Sequence, residues 1–428
     1  MAKTNAKGSI MKKNIAIIGS GISGLTSAYL LNQKHQITLF EVNDYIGGHT
    51  ATVDVEVNGK AYSIDTGFIV FNDKTYPKFL ELLDQIDIGR KETEMSFSVH
   101  NQLTGLEYNG HNLDTLFSQR KNIFNPKFWS LIRQIIRFNK QCKALYDDSS
   151  IPEKLSLGDF LQKNNFSDYF AQHYILPMGA AIWSTSLEQM LDFDLSFFIR
   201  FFYNHGLLNI SDRPQWFVIP GGSRNYIPNL IAHFADRIKL NSKVKTVERN
   251  GQGVEVIMES GETFHFDDIV FACHSDQALK LLSKPTTDEI DVLGNIPYSA
   301  NEVVLHTDIN LLPKQKKSWA SWNYSLDADR QRPAAVTYNM NILMGLESET
   351  TFCVTLNQSE QIDPSKVLRT FVYHHPVFNQ QSFNAQKKRH LICGKNNTHF
   401  TGAYWHNGFH EDGVRSAVEI AERFGVTL

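Results

Sequence analysis

The sequence predicts an α/β protein with two lobes. One is a Rossmann-like lobe that is discontinuous along the chain, and the other is an α+β lobe inserted between its pieces. Three observations predict this. A short apolar run, Ile15–Ile18, passes directly into Gly19-Ser-Gly21-Ile22-Ser23-Gly24. Helix-period residues follow, and then a second apolar run, 36–40, that ends in Glu41, 20 positions after Gly21. Strand and turn signals of the same kind return in the middle and near the end of the 428 residues.

Each part of the first unit has a physical task. Gly19 allows the tight turn out of the strand. Gly21 lets backbone approach a pyrophosphate where a Cβ would collide. Gly24 lets the helix lie close to the sheet. The helix N-terminus, at Ile22 and Ser23, offers unpaired N–H groups and a partial positive charge to phosphates. Glu41 can accept hydrogen bonds from ribose hydroxyls. Strand, glycines, helix, strand and acid in register predict dinucleotide binding.

The residues after Glu41 narrow the ligand. They read Val-Asn-Asp-Tyr-Ile-Gly47-Gly48-His49-Thr50. This combined pattern resembles the superfamily of FAD-dependent amine oxidases, protoporphyrinogen oxidases and phytoene desaturases. The resemblance implies a glutathione-reductase-type FAD-binding lobe, with Gly48, His49 and Thr50 beside the phosphates and ribityl chain. Most members carry Arg where this chain has His49, so a permanent charge is lost there. Asp65-Thr-Gly67-Phe68 is similar to a segment that reaches the flavin. Trp216-Phe-Val-Ile-Pro-Gly221-Gly222-Ser223 resembles the turn that re-enters the flavin lobe. The alternating stretch 244–258 resembles the hairpin whose backbone, here at Val244, contacts adenine.

The last block, Phe400-Thr-Gly402-Ala-Tyr404-Trp405-His-Asn-Gly408-Phe409-His-Glu-Asp-Gly413-Val414, resembles the motif that closes over the flavin. The resemblance implies amides of Gly413 and Val414 at the N1/O2 edge, where they would stabilise charge on the reduced ring. It also implies Gly402 and Tyr404 along the ribityl chain, although relatives carry an acid at the Tyr404 position. Phe409 and Trp405 are expected to wall the substrate side of the flavin.

These blocks assign 12–80, 215–295 and 395–428 to the FAD-binding lobe and 81–214 and 296–394 to the substrate lobe. Residues 1–11 read as a disordered tail. The piece 81–214 reads as helical, and 296–394 as richer in strands. The helix over 128–140 is basic and amphipathic: an ordinary solvated helix, or one resting on a membrane surface. The Phe-rich run 193–210 reads as core or as the lining of an apolar tunnel.

A formal net charge of −3 gives no basic face for nucleic acid. The four cysteines are scattered and form no C-x-x-C pair, which suits a reducing cytoplasm and predicts no metal and no disulfide framework. The scattered histidines, such as Tyr373-His-His and His406…His410, lack metal spacing and read as structural or solvent-facing. No apolar stretch is long enough for a membrane-spanning helix.

The chemistry expected is transfer of a hydride from a substrate C–H bond to a non-covalently held FAD. Phe in place of Tyr at 409, and Asn301-Glu302 where relatives carry Lys, both weaken an amine-oxidase reading. The motifs G-G-H-T-A-T, D-T-G-F-I-V-F-N and G-A-Y-W-H-N-G-F-H-E-D-G are similar to bacterial flavoproteins that resemble the flavin half of plant cyclopropane fatty-acid synthases. That similarity implies a small-molecule or lipid substrate, with oxidation or desaturation of an acyl chain and peripheral contact with a membrane. The alternatives are a small-amine oxidase, an NAD-dependent dehydrogenase, and a flavoprotein partner of a lipid methyltransferase. No motif encodes the substrate, the electron acceptor or the oligomeric state.

Overall fold

In the computed structural model, which describes residues 11–152 and 154–428, the N-terminal unit folds as β1 (Asn14–Ile18), α1 (Ile22–Leu31) and β2 (Gln36–Phe40). Three later strands join them: β3 (Ile238–Lys239), β4 (Asp268–Phe271) and β5 (Thr398–Phe400). All neighbours are parallel, in the order β3-β2-β1-β4-β5. The tail expected over 1–11 lies outside the described residues except for Met11, which is exposed.

A parallel sheet must be covered on both faces, and alternate residues show how. Ile15, Ile17, Leu39 and Val270 meet Leu25 and Leu30 of α1 and Val414 and Ile420 of the C-terminal helix. Ala16, Ile18, Phe40, Ile269 and Phe271 point the other way, onto Val247 and Val256 of a three-stranded antiparallel sheet spanning 244–266.

The second lobe is built on a seven-stranded mixed sheet. Its order is Val367–Pro376, Tyr298–His306, Cys353–Leu356, Val336–Asn339, Trp322–Leu326, Phe97–Asn101 and Glu107–Asn109. The start of the stretch read as helical is therefore strand: Lys91–Thr93, Phe97–Asn101 and Glu107–Asn109 precede the helices. Each of these is five residues or fewer, too short to declare a period. Phe97–Asn101 is held by parallel pairing with Trp322–Leu326, more than 200 residues away.

Helices α2 (Pro77–Gln85), α3 (Pro126–Asp147), α4 (Leu195–Asn204) and α5 (His410–Arg423) complete the frame. Asn125 caps α3 by accepting from Lys127 N at 3.0 Å, with Pro126 at the first helical position. Asp194 caps α4 by accepting from Phe197 N at 2.8 Å. Phe198 and Phe202 of α4 are fully buried and stack at 4.0 Å, so they are plain core. Phe138 of α3 meets Phe198 edge-on at 6.3 Å, which ties the outer helix to the inner one.

Candidate cofactor and substrate site

The site lies where the carboxyl ends of β1, β2 and β4 meet the N-termini of α1 and α5. Gly21 is the N-cap of α1, with no side-chain cap and no acid in the first turn. The first helical hydrogen bond runs from Leu25 N to Gly21 O, 2.9 Å. That leaves the amides of Ile22, Ser23 and Gly24 without an intrahelical acceptor. A Cβ on Gly21 would meet nothing within 4 Å, whereas one on Gly24 would overlap the Gly19 carbonyl. The space at Gly21 is thus open to a ligand, and the space at Gly24 is filled by the fold.

Gly47-Gly48 lies across this turn. Gly21 and Gly47 form a bridge, and the Cβ direction of Gly48 reaches Gly21 Cα at 3.2 Å. Gly19 N donates to Phe40 O at 2.8 Å, which fixes β1 against β2 as the turn begins. Glu41 is buried, and its carboxylate already takes four donors. Oε2 accepts from Ser20 N (2.9 Å) and Oγ (2.7 Å); Oε1 accepts from Asn43 N and Nδ2, both 2.9 Å. These fill its acceptor positions. Glu41 therefore anchors the glycine turn here, and a ribose hydroxyl would have to displace one of these donors, such as the Asn43 side chain.

Beyond Gly48 the chain enters an aromatic and histidine-rich wall. His49 O accepts from Phe68 N at 2.7 Å, and a Cβ on Gly67 would overlap that carbonyl. The His49 ring lies 5.1 Å from Tyr373, 5.6 Å from His375 and 6.4 Å from His274. Its Nε2 is buried with no hydrogen-bond partner. Burial pushes this imidazole down to about 3, and the neighbouring histidines push the same way. His375 is pushed down to about 4, again chiefly by burial. Among the described residues no three His, Cys, Asp or Glu side chains converge as a metal site.

Under this wall runs a buried chain: Thr50 Oγ1 to Tyr226 OH at 2.6 Å, and Tyr226 OH to His410 Nε2 at 2.8 Å. Phe68 stacks on His410 at 3.7 Å. Thr50 and Phe68 are thus committed to packing α5 against the glycine turn. Asp65 is fully buried and clamps the Gly221-Gly222-Ser223 turn. It accepts from Thr52 Oγ1 (2.6 Å), Ser223 N (2.9 Å) and Ser223 Oγ (2.9 Å). Burial raises its carboxyl to about 6 against those hydrogen bonds.

α5 approaches α1 end to end: a Cβ on Gly413 would stand 2.7 Å from Ile22 Cγ2 and 2.9 Å from Ser23 Oγ. The helix begins three residues earlier than the motif implies. Asp412 accepts from Phe409 N at 2.9 Å, and the amides of Asp412 and Gly413 already donate to Phe409 O at 3.0 and 3.2 Å. Gly413 and Val414 therefore lie inside the first turn, with Val414 fully buried, and the N-terminal amides belong to His410 and Glu411. Glu411 reaches away from the cradle to cap α2, accepting from Lys78 N (3.0 Å) and Phe79 N (2.8 Å). Glu411→Ala leaves two amides uncapped and is expected to cost about 2 kcal/mol. Denaturant titration measures the loss, and Glu411→Gln should restore about half of it.

The two residues expected to wall the substrate side are separated. Phe409 stacks on Phe201 at 5.2 Å and lies 5.8 Å from His205. Trp405 instead packs behind the sheet with Tyr404, Phe271 and Phe400, under the Arg389 guanidinium. Tyr404 shares that core, and its ring fills the space where a Cβ of Gly402 would be. Ser416 Oγ fixes this bend by accepting from Gly402 N at 2.9 Å. Val244 stands at the mouth of its hairpin, two residues after Ser242, whose amide donates to Glu41 O at 2.8 Å. That hydrogen bond brings the hairpin to the Glu41 end of the cradle.

A cradle of bare amides at a βαβ turn, topped by a histidine wall and faced by an aromatic lobe, fits a dinucleotide-binding oxidoreductase. The comparisons with known proteins narrow the class. The family model of flavin-containing amine oxidoreductases matches residues 22–342. The chain belongs to this family and is an FAD-dependent oxidoreductase.

It is 37% identical over 99 residues to a 1-hydroxycarotenoid 3,4-desaturase of Flavobacterium sp. (strain P99-3), a stretch covering 23% of this chain and 18% of that protein. Among solved structures it resembles a CLA-producing fatty acid isomerase from P. acnes, with TM-score 0.69 and 15% identity over 97% of this chain and 100% of the other. A putrescine oxidase double mutant gives TM-score 0.68 and 13% identity over 97% and 99%. At those identities the likeness is one of fold.

Proposed function

We infer that the chain holds FAD non-covalently and takes a hydride from an apolar acyl- or lipid-type substrate on the Phe409 side. The observation that carries the substrate class is the surround of Phe409. It is built from Phe201 and His205, with Phe378 against Gly408. His205 is held neutral, pushed down to about 4 by burial. The neighbouring acid, Asp412, is spent on the Phe409 amide. Such a wall offers an ammonium no counter-charge, and it suits a hydrocarbon. The partial likeness to a carotenoid desaturase supports the same class.

When bound, the flavin supplies the two-electron acceptor. The residues do the rest. The free Ile22, Ser23 and Gly24 amides would receive the diphosphate, and the unpartnered His49 Nε2 would offer a further polar contact. The His410–Tyr226–Thr50 chain keeps the loop from drifting, and Phe409 sets the substrate plane. With the cofactor bound, a substrate C–H bond held against Phe409 would be placed for two-electron oxidation to a carbon–carbon double bond, the proton leaving to water. Burial of the thiol beside the cradle supports the non-covalent mode. Cys273, nearest the glycine turn, is pushed up to about 12 and is not a nucleophile at neutral pH.

Anaerobic mixing of the yellow protein with detergent-dispersed membrane lipids, and separately with aliphatic amines, tests this. Lipid should bleach the flavin band while amines leave it intact. Bleaching by amines alone, or by neither, would overturn the substrate class.

A further inference from the structure

The outer helix α3 carries a face that nothing among the described residues covers. It turns Phe128, Leu131, Phe138 and Cys142 inward. Trp129, Arg133, Ile136 and Lys140 stand at i, i+4, i+7 and i+11, one stripe on the opposite side. Trp129 is 43% exposed and Ile136 49%. Just before the helix, Phe124 is 87% exposed and Ile123 42%. Trp129 Nε1 donates to Ile123 O at 2.7 Å, so the indole and the preceding turn form one knob.

The charge around this knob is one-sided. From residue 115 to 146 the sequence holds no Asp or Glu. Arg120 pairs with Asp114, and Arg137 covers Phe166 while donating to the carbonyls of Asn164 and Asn165. Lys121, Lys127, Arg133, Lys140 and Lys143 have no ion-pair partner among the described residues. In a chain of formal charge −3 this is a local reversal of sign.

We propose that this face docks on an anionic lipid bilayer. Phe124, Ile123, Trp129 and Ile136 enter the headgroup region, and Arg133, Lys140 and Lys143, which share the Trp129 side of the helix, meet lipid phosphates. A nucleic acid would satisfy the cations and offer no apolar phase to Phe124. The face also sits directly outside the substrate lobe. Phe138 meets Phe198, and Phe201 of the same helix α4 meets Phe409, so a docked α3 is one helix layer from the substrate wall. The docking rests on surface chemistry alone and does not depend on which substrate bleaches the flavin.

The flavin-loaded full chain is sedimented with vesicles of phosphatidylcholine alone, and with vesicles containing about one third phosphatidylglycerol. It should pellet with the anionic vesicles and be released by salt. The triple variant R133Q/K140Q/K143Q should lower the partition coefficient about a hundredfold, about fivefold per charge removed. Phe124→Ser should weaken binding further and make it more salt-sensitive. Unchanged flavin absorbance in both variants shows that they are folded. Failure to pellet, equal pelleting with neutral vesicles, retardation of duplex DNA in place of vesicle binding, or loss of a dimer in the triple variant would each overturn the proposal.

Discussion

Gly21→Val should yield a soluble, folded and colourless protein. A Cβ at this position meets nothing within 4 Å beyond its chain neighbours, so the fold should tolerate the branch point. What it fills is the space in front of the unpaired α1 amides, where backbone must touch the diphosphate. Flavin absorbance per polypeptide should fall to background while the melting temperature of the flavin-free protein stays within a few degrees. Gly24→Val makes the contrast. Its Cβ overlaps the Gly19 carbonyl, so it should destabilise the chain by more than about 3 kcal/mol. A Gly21→Val protein that purified yellow would move the diphosphate elsewhere.

Acid should unfold the flavin-free protein far sooner than its net charge suggests. His49 and His410 are pushed down to about 3, and His205, His306 and His375 to about 4, each mainly by burial. Their folded values lie below the unfolded one, so these side chains stabilise the fold above pH 6.5 and lose that contribution as pH falls. Three buried acids act with the opposite sign. Asp65 and Asp412 are raised to about 6 and Glu411 to about 7, so the folded state holds their protons more tightly than the unfolded chain. Between pH 6 and pH 4.5 the unfolded chain thus binds about two protons more than the folded one. Stability should fall by roughly 3 kcal/mol per pH unit in that window. Urea midpoints at pH 7.5 as reference and at pH 6.0, 5.2 and 4.5 would measure it, and a flat profile would show that these histidines are hydrated.

The cradle was legible in the sequence because every demand on it is local. An apolar run, a glycine where a phosphate must approach and a glycine where a helix must approach all fall within a dozen residues. The start of α5 was not legible, because its N-cap position holds Phe409 in place of a Ser, Thr, Asp or Asn. The cap works in reverse, from the Asp412 side chain back to the Phe409 amide. Trp405 was misplaced for a related reason: the chain turns again at Gly408, so Trp405 and Phe409 go to opposite sides, and spacing alone does not say which. The histidine wall has no local signature. His49, His274 and His375 arrive from three distant segments, and the only advance notice was that His49 stands where relatives carry a cation. The short strands of 91–109 draw their conformation from partners far along the chain.

The parallel sheet at the heart of the cradle has a consequence for biosynthesis. β1 leaves the ribosome first, yet its neighbour β4 follows some 250 residues later, and β5 and α5 later still. Until then the nascent βαβ unit carries an unfilled edge and an uncovered apolar face, the condition in which chains seek chaperones or aggregate. Pigment capture should therefore be among the last events of maturation. It should consolidate the fold only once the final helix has closed against the first.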